Sequence, residues 1–87
     1  MRHVRDPAFL PLLNSLPDRI QDTARKNFEL LKRDPKHPSL HFKRLMGDYW
    51  SVRIGKNYRA LALEGNDCFY WYWIGPHDDY KRQIGKM

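Results

Sequence analysis

The spacing of apolar residues changes once along the chain, from a helical to a strand-like pattern near residue 40. Before that point, apolar residues recur every three or four positions at Ile20, Ala24, Phe28 and Leu31. This spacing predicts an amphipathic helix. The segment 34–38 contains two X-Pro pairs, which end the helix because a residue before proline disfavours the α region.

A second, shorter helix is predicted ahead of it. Asp6-Pro7 is typical of a helix start, with the aspartate as N-cap and the proline in the first turn. Pro11 lies inside the pattern, so we expect a helix that is short, kinked or begins after Pro7. Ser15–Asp18 separates the two helices, which we expect to be antiparallel. Met1–Arg5 is a candidate for a short edge strand.

Four strand-like runs follow, separated by turn residues rich in Gly, Asn and Asp. They are Leu40–Leu45, Tyr49–Ile54, Tyr58–Glu64 and Cys68–Ile74. The predicted fold class is α+β, with two N-terminal antiparallel helices packed on a twisted antiparallel sheet. We expect residues 1–87 to form one domain.

Cationic residues lie inside these strands as well as in the turns. Alternation places Arg53 on the face opposite Trp50 and Val52, and places Arg59 on the face of Leu61. A sheet that holds cations in fixed positions favours a surface that meets an anion.

Composition and charge point the same way. A chain of 87 residues buries only about 60–65% of its unfolded surface, so a shallow cleft is expected rather than a deep cavity. Sixteen Lys and Arg against ten Asp and Glu give a net charge of +6. Such a chain attracts phosphate polymers in a salt-dependent way, although many small soluble proteins are basic without a specific partner.

Cysteine content and hydropathy suggest the compartment. A single cysteine, Cys68, allows no internal disulfide and fits a reducing environment. We find no signal-peptide pattern and no apolar run near the ~20 residues that span a bilayer. We therefore expect a cytoplasmic protein with no membrane partner.

Five side chains have the chemical types needed to cleave RNA without a metal: Lys43, Arg53, Arg59, His77 and Tyr80. The reaction needs a base, fixed cations and an acid. Arginine offers a rigid fork to phosphate oxygens, histidine exchanges protons near neutral pH, and tyrosine can donate a proton or stack on a base. No residue spacing suggests a metal site or a cofactor motif, and none is expected.

Each of these residues also has a purely structural explanation. Arg53 and Arg59 could pair with carboxylates across the sheet, and His77 could simply end the last strand. Tyr80 could be a packed aromatic, and Lys43 could keep an edge strand soluble. The residues alone therefore predict a basic α+β domain that binds nucleic acid.

Four segments, taken in order, resemble the RelE/ParE toxin superfamily of bacterial type II toxin–antitoxin systems. They are Asp34–Lys43, Ser51–Arg53, Tyr58–Ala60 and Trp73–Tyr80. The resemblance implies that Lys43 and Arg53 contact phosphate and that Arg59 stabilises the transition state. It also implies that His77 is the proton donor and that Tyr80 is a base or stacking partner. Because position 77 is a histidine, the chain looks closer to the HigB- or YafQ-like members of the superfamily.

The resemblance implies a metal-independent, ribosome-dependent endoribonuclease that cleaves mRNA in the A site and inhibits translation. It also implies a small acidic antitoxin that wraps the basic face or adds a strand or helix to the domain. Because a shared fold does not determine function, two alternatives stay open. One is a ParE-type inhibitor of DNA gyrase that acts by binding, and the other is a non-catalytic RNA-binding domain.

Overall fold

The computed structural model describes residues 2–86, which form a five-stranded sheet with helices at both ends of the chain. The strands are β1 Arg2–Arg5, β2 Lys43–Met46, β3 Tyr49–Ile54, β4 Tyr58–Gly65 and β5 Cys68–Pro76. The helices are α1 Phe9–Asn14, α2 Asp18–Arg33 and α3 His77–Ile84, with a short 3-10 turn at Pro38–Leu40. The strand order is β1-β5-β4-β3-β2.

The predicted α+β class is confirmed, with one correction to the sheet. Strands β2 to β5 form the expected antiparallel meander. The edge strand expected at Met1–Arg5 is found at Arg2–Arg5, but it pairs parallel to β5, so the sheet is mixed. Only strands joined by a tight turn must run antiparallel, and the long connection after β1 leaves its direction open.

Helix α3 was not predicted. It follows β5 directly and contacts β4 and β5. The charges in its sequence suit the helix dipole, because Asp78 and Asp79 lie in the first turn and Lys81 and Arg82 in the last. The helix places His77 beside the sheet instead of in a free tail. No helix within residues 2–86 combines the length and apolar character needed to cross a membrane.

Helix α1 is short and begins after Pro7. The Asp6 side chain accepts a hydrogen bond from the Ala8 backbone N–H at 2.9 Å, and the helix starts at Phe9. Pro11 therefore falls in the first turn, where backbone N–H groups have no intrahelical partner. This position explains why the proline does not interrupt the helix.

One face of the sheet, here called the inner face, packs against α1 and α2 to form the core. Its buried residues are Phe9, Leu13, Ala24, Leu31, Leu40, Val52, Ile54, Ala60, Ala62, Phe69, Trp71 and Ile74. Trp71 meets Phe28 edge-on at 5.0 Å between ring centroids. Its indole N–H donates to His3 Nδ1 at 3.0 Å and so ties β1 to β5. The opposite side of the sheet is the outer face.

Strand β5 contains a bulge that changes which side chains reach the outer face. Leu61 pairs with Trp73, but the next residue, Ala62, pairs with Trp71, so Tyr72 has no partner. Such a bulge shifts the alternation of side chains along the strand. Trp71 consequently stays on the inner face while Trp73 lies on the outer one.

The turn between β2 and β3 gives a test of the backbone geometry. Gly47 has φ of +55°, and a Cβ added there would meet no atom within 4 Å. Gly47→Ala should therefore isolate the left-handed strain, about 1–2 kcal/mol, and lower Tm by at least about 4 °C. Gly85→Ala is the matched control, because Gly85 has φ of −67°. Equal Tm values for the two variants in thermal unfolding would contradict this geometry.

Candidate functional site

Strand register brings three predicted cations together on the outer face. Arg53 pairs directly with Arg59 across β3 and β4. Lys43 pairs with Ser51, two positions before Arg53 on the same strand. Lys43 and Arg53 are therefore diagonal neighbours, with Cβ atoms roughly 7–8 Å apart. These three residues are here called the cationic cluster.

Within residues 2–86, no carboxylate forms an ion pair with the cationic cluster. The ion pairs found there are Arg25–Asp22, Lys32–Glu29, Arg44–Glu64 and Arg82–Asp79. Like charges directly opposite each other destabilise a sheet. Among the residues that the structure describes, the arginines therefore do not pair with Asp or Glu across the sheet. Their charges can instead attract an external anion.

Arg59 is held by the backbone of the hairpin that precedes it. Its Nη1 donates to the Tyr58 carbonyl at 2.8 Å, with a longer contact of 3.5 Å to the Lys56 carbonyl. Burial lowers the pKa of Arg59, repulsion from Arg53 lowers it further, and Tyr80 acts in the opposite direction. Nη1 makes both contacts, so the guanidinium is held in one orientation before any ligand binds.

Arg53 has an incomplete set of partners. Its Nε is buried without a hydrogen bond, and its Nη1 lies 3.4 Å from His41 Nε2. The backbone carbonyl of Arg53 accepts from the Asn27 side chain at 2.9 Å, which fixes this part of β3 to α2. A buried donor without a partner costs free energy.

His41 is a further residue beside the cationic cluster, and the sequence alone does not point to it. It follows the 3-10 turn in a left-handed conformation, with φ of 45°. Its contact with Arg53 joins residues twelve positions apart. No local pattern signals such a contact, because it depends on how the connection between α2 and β2 is folded.

His77 and Arg59 share one cleft. The His77 backbone N–H donates to the Asn57 carbonyl at 2.8 Å, which fixes the start of α3 to the start of β4. The cleft has a volume of about 330 Å³ and is lined by Lys56, Asn57, Arg59, Pro76, His77 and Asp78. Lys56, in the turn between β3 and β4, thus adds a second cation to the cleft.

Tyr80 lies one turn after His77 and packs against it. The two ring centroids are 5.6 Å apart. Only 8% of Tyr80 is exposed, and stacking on an RNA base requires an open ring face. The geometry therefore fits Tyr80 as a support for the His77 imidazole.

The site can hold a phosphate and exchange a proton. The arginine forks can bind phosphate oxygens, and imidazole can take up or release a proton near neutral pH. Within the described part of the chain, no three His, Cys, Asp or Glu side chains are grouped to hold a metal ion. A larger cleft of about 540 Å³, between α1, α2 and Trp71, contains none of the five predicted site residues.

Known structures share this fold. The RelB–RelE antitoxin–toxin complex from Methanococcus jannaschii contains a chain 16% identical, with a TM-score of 0.72, and the match covers 92% of this chain and 96% of that one. YafQ from E. coli strain BL21(DE3) is 10% identical with a TM-score of 0.72, and the coverages are 92% and 98%. The isolated E. coli RelE toxin is 13% identical with a TM-score of 0.65, and the coverages are 98% and 96%. At these identities the likeness shows the fold.

Sequence comparison supplies the family. No curated protein sequence matches the chain. A family model described as the ParE-like toxin domain matches residues 18–82. That range includes α2, strands β2 to β5, the cationic cluster and His77. The resemblance inferred from four short segments is thereby confirmed, and the chain belongs to the ParE-like toxin family of the RelE/ParE toxin superfamily.

Proposed function

We propose that this toxin is a metal-independent, ribosome-dependent endoribonuclease that cleaves mRNA and so inhibits translation. The observation that carries the proposal is the shared cleft of Arg59 and His77, with Arg53 directly across the strand from Arg59. This arrangement sets two fixed cations beside a group that can transfer a proton. A protein that only bound its target would not need that combination.

The proposed reaction is attack by the ribose 2′-oxygen on the adjacent phosphorus. The 2′-hydroxyl gives its proton to a base, the P–O5′ bond breaks, and the departing 5′-oxygen takes a proton from an acid. Arg53 and Arg59 stabilise the added negative charge on the phosphate in the transition state, as fixed hydrogen-bond donors do. Lys43 holds a neighbouring phosphate from the edge of the cationic cluster.

The two imidazoles beside the arginine pair supply the acid and the base. His77 shares the cleft with Arg59 and is the proposed proton donor to the 5′-oxygen. His41 lies against Arg53 and is the proposed acceptor of the 2′ proton. Tyr80 positions His77 through the packing of the two rings.

Support for ribosomal mRNA as the substrate comes from the resemblance to RelE-type toxins and from the shallow, open cleft. Such a cleft offers a single-stranded segment little enclosure of its own, so a surface outside the cleft would help to position the substrate. The ribosomal A site could supply that surface. Action on ribosomes would also place the toxin in the cytoplasm.

Arg59→Gln should reduce cleavage roughly 100- to 1,000-fold, because it removes an oriented donor to the transition state. His77→Ala and His41→Ala should each reduce it by at least roughly 100-fold, as loss of a general acid or base does. The measurement is primer extension on cellular mRNA after induced expression.

Arg19→Gln is the matched control for that experiment. It removes the same charge from an exposed position on α2, away from the cationic cluster, and should leave cleavage unchanged. Wild-type cleavage by an Arg59→Gln, His77→Ala double variant would sink the proposal.

Inhibition of DNA gyrase is the second candidate, because the matching family model is described as ParE-like. A gyrase inhibitor would abolish DNA supercoiling and leave mRNA intact. A non-catalytic RNA-binding domain would permit normal growth on overexpression. We expect the opposite pattern, with growth arrested, mRNA cut and gyrase supercoiling unaffected by equimolar toxin.

We also propose a small, acidic, partly disordered antitoxin as the protein partner. The net charge of +6 and the lack of any ion pair to the cationic cluster within residues 2–86 support it, as does the likeness to a chain of an antitoxin–toxin complex. Such a partner would cover the outer face, or add a strand or helix to the domain, with its acidic residues beside the cationic cluster.

The product of the neighbouring gene should therefore bind the toxin and block cleavage, and added salt should weaken the complex. Lys43→Gln, Arg53→Gln toxin should bind it more weakly, whereas Arg19→Gln toxin should bind normally. Isothermal titration at two salt concentrations measures both effects. Toxin that stays fully active after incubation with that protein would contradict the partner proposal.

A further inference from the structure

The outer face carries a row of exposed apolar side chains at the end of the sheet away from the cleft. Met46 is 54% exposed, Leu63 40% and Tyr70 45%. Strand register makes them neighbours, because Met46 pairs with Tyr49, Tyr49 with Leu63, and Leu63 with Tyr70. Side chains that lie across from each other in this way form a continuous patch instead of scattered contacts.

The bulge in β5 places two half-buried aromatic side chains, Tyr72 and Trp73, beside this exposed row on the side toward the cleft. The ring of Tyr72 lies 6.3 Å from that of Tyr49, and Trp73 is paired with Leu61 of the outer face. Strict alternation would have placed Tyr72 and Trp73 on opposite faces. Because of the bulge, the indole of Trp73 lies on the outer face together with the tyrosine rings.

Gly75 lets the indole of Trp73 lie along the strand. A Cβ at Gly75 would come within 2.7 Å of the Trp73 ring, so any larger residue would displace the indole. Gly75 pairs with Arg59. The aromatic side chains therefore run along β5 from Tyr70, across the bulge at Tyr72, to Trp73 and the edge of the cleft. Tyr49, Tyr70, Tyr72 and Trp73 are here called the aromatic platform.

We propose that the aromatic platform stacks the bases of single-stranded RNA whose backbone crosses the cationic cluster, and this rests on the proposed nuclease function. Four strand positions separate the Arg53–Arg59 pair from the Tyr49–Leu63 pair, a distance of about 14 Å. That distance corresponds to roughly two to four nucleotides. A cationic track beside aromatic rings is the arrangement by which proteins hold single strands with little sequence preference.

Charge argues against a second copy of the chain as the occupant. Each copy has a net charge of +6 and carries Lys43, Arg53 and Arg59 on the same face as the platform. Two such faces brought together would repel, whereas the phosphates of RNA complement them. Burial and the neighbouring Tyr49 raise the pKa of Tyr72 to about 12, so Tyr72 stays an uncharged phenol that can donate to a base.

The test compares two oligonucleotides that have the same phosphates. One is a 2′-O-methylated oligoadenylate of eight nucleotides, which lacks the attacking hydroxyl, and the other is its abasic counterpart. Fluorescence anisotropy measures the affinity of each for the toxin. The wild type should bind the oligoadenylate more tightly than the abasic strand, because only the former can stack.

Tyr70→Leu should weaken oligoadenylate binding roughly 5- to 100-fold and leave the dependence of affinity on salt unchanged. Tyr70→Phe should bind as the wild type does, because it keeps the ring. Arg53→Gln should instead reduce the salt slope by about 1, as loss of a phosphate contact does. Leu10→Ala is the matched control, since Leu10 is 41% exposed on α1, and it should have no effect.

Equal affinities of the wild type for the two oligonucleotides would overturn the platform, and so would wild-type binding by Tyr70→Leu. Loss of antitoxin binding without loss of RNA binding in Tyr70→Leu would assign the row to a protein partner and would also overturn it. These results are independent of the nuclease proposal. If the toxin binds the oligoadenylate more tightly than the abasic strand but never cuts mRNA, the platform proposal stands and the nuclease proposal is wrong.

Discussion

The outer face places two like charges opposite each other, because Arg53 pairs with Arg59 across β3 and β4. Opposed like charges cost about 0.2–1 kcal/mol in a sheet. On the inner face, the same strands bury Val52, Ile54 and Ala60, and each larger aliphatic side chain contributes about 1.5–3 kcal/mol. Burial therefore outweighs the repulsion, and packing of the core keeps the two arginines at paired positions of the sheet.

The rest of the site is positioned in the same way, with the inner face packed in the core and the outer face carrying the site residues. Strand β5 lies between β1 and β4 and contributes to both faces, with Trp71 in the core and Trp73 outside it. Helix α3 starts where β5 ends, and its first backbone N–H is bonded to Asn57. The position of the His77 imidazole is thus set by the sheet. An RNA phosphate bound at the arginine pair would relieve the repulsion that the fold maintains.

Periodicity predicted the elements that have a strong repeat and missed those defined by tertiary contacts. Helix α2 and strand β3 match their predicted spacing, because amphipathic alternation and the flanking turns are both local. The length of the Gly55–Asn57 hairpin puts Arg53 opposite Arg59, which side-chain parity alone could not show. Helix α3 was missed because eight residues carry a weak repeat, and the β5 bulge because both faces of that strand are aromatic.

Arg53, Arg59 and His77 are proposed to act together on one phosphate, with the ribose 2′-oxygen as the nucleophile. The most direct measurement is the chemistry of the product ends after cleavage on programmed ribosomes. We expect a 2′,3′-cyclic phosphate on one fragment and a 5′-hydroxyl on the other, and no cleavage where the ribose is 2′-deoxy. A 3′-hydroxyl with a 5′-phosphate, or efficient cleavage of the 2′-deoxy substrate, would contradict this proposal.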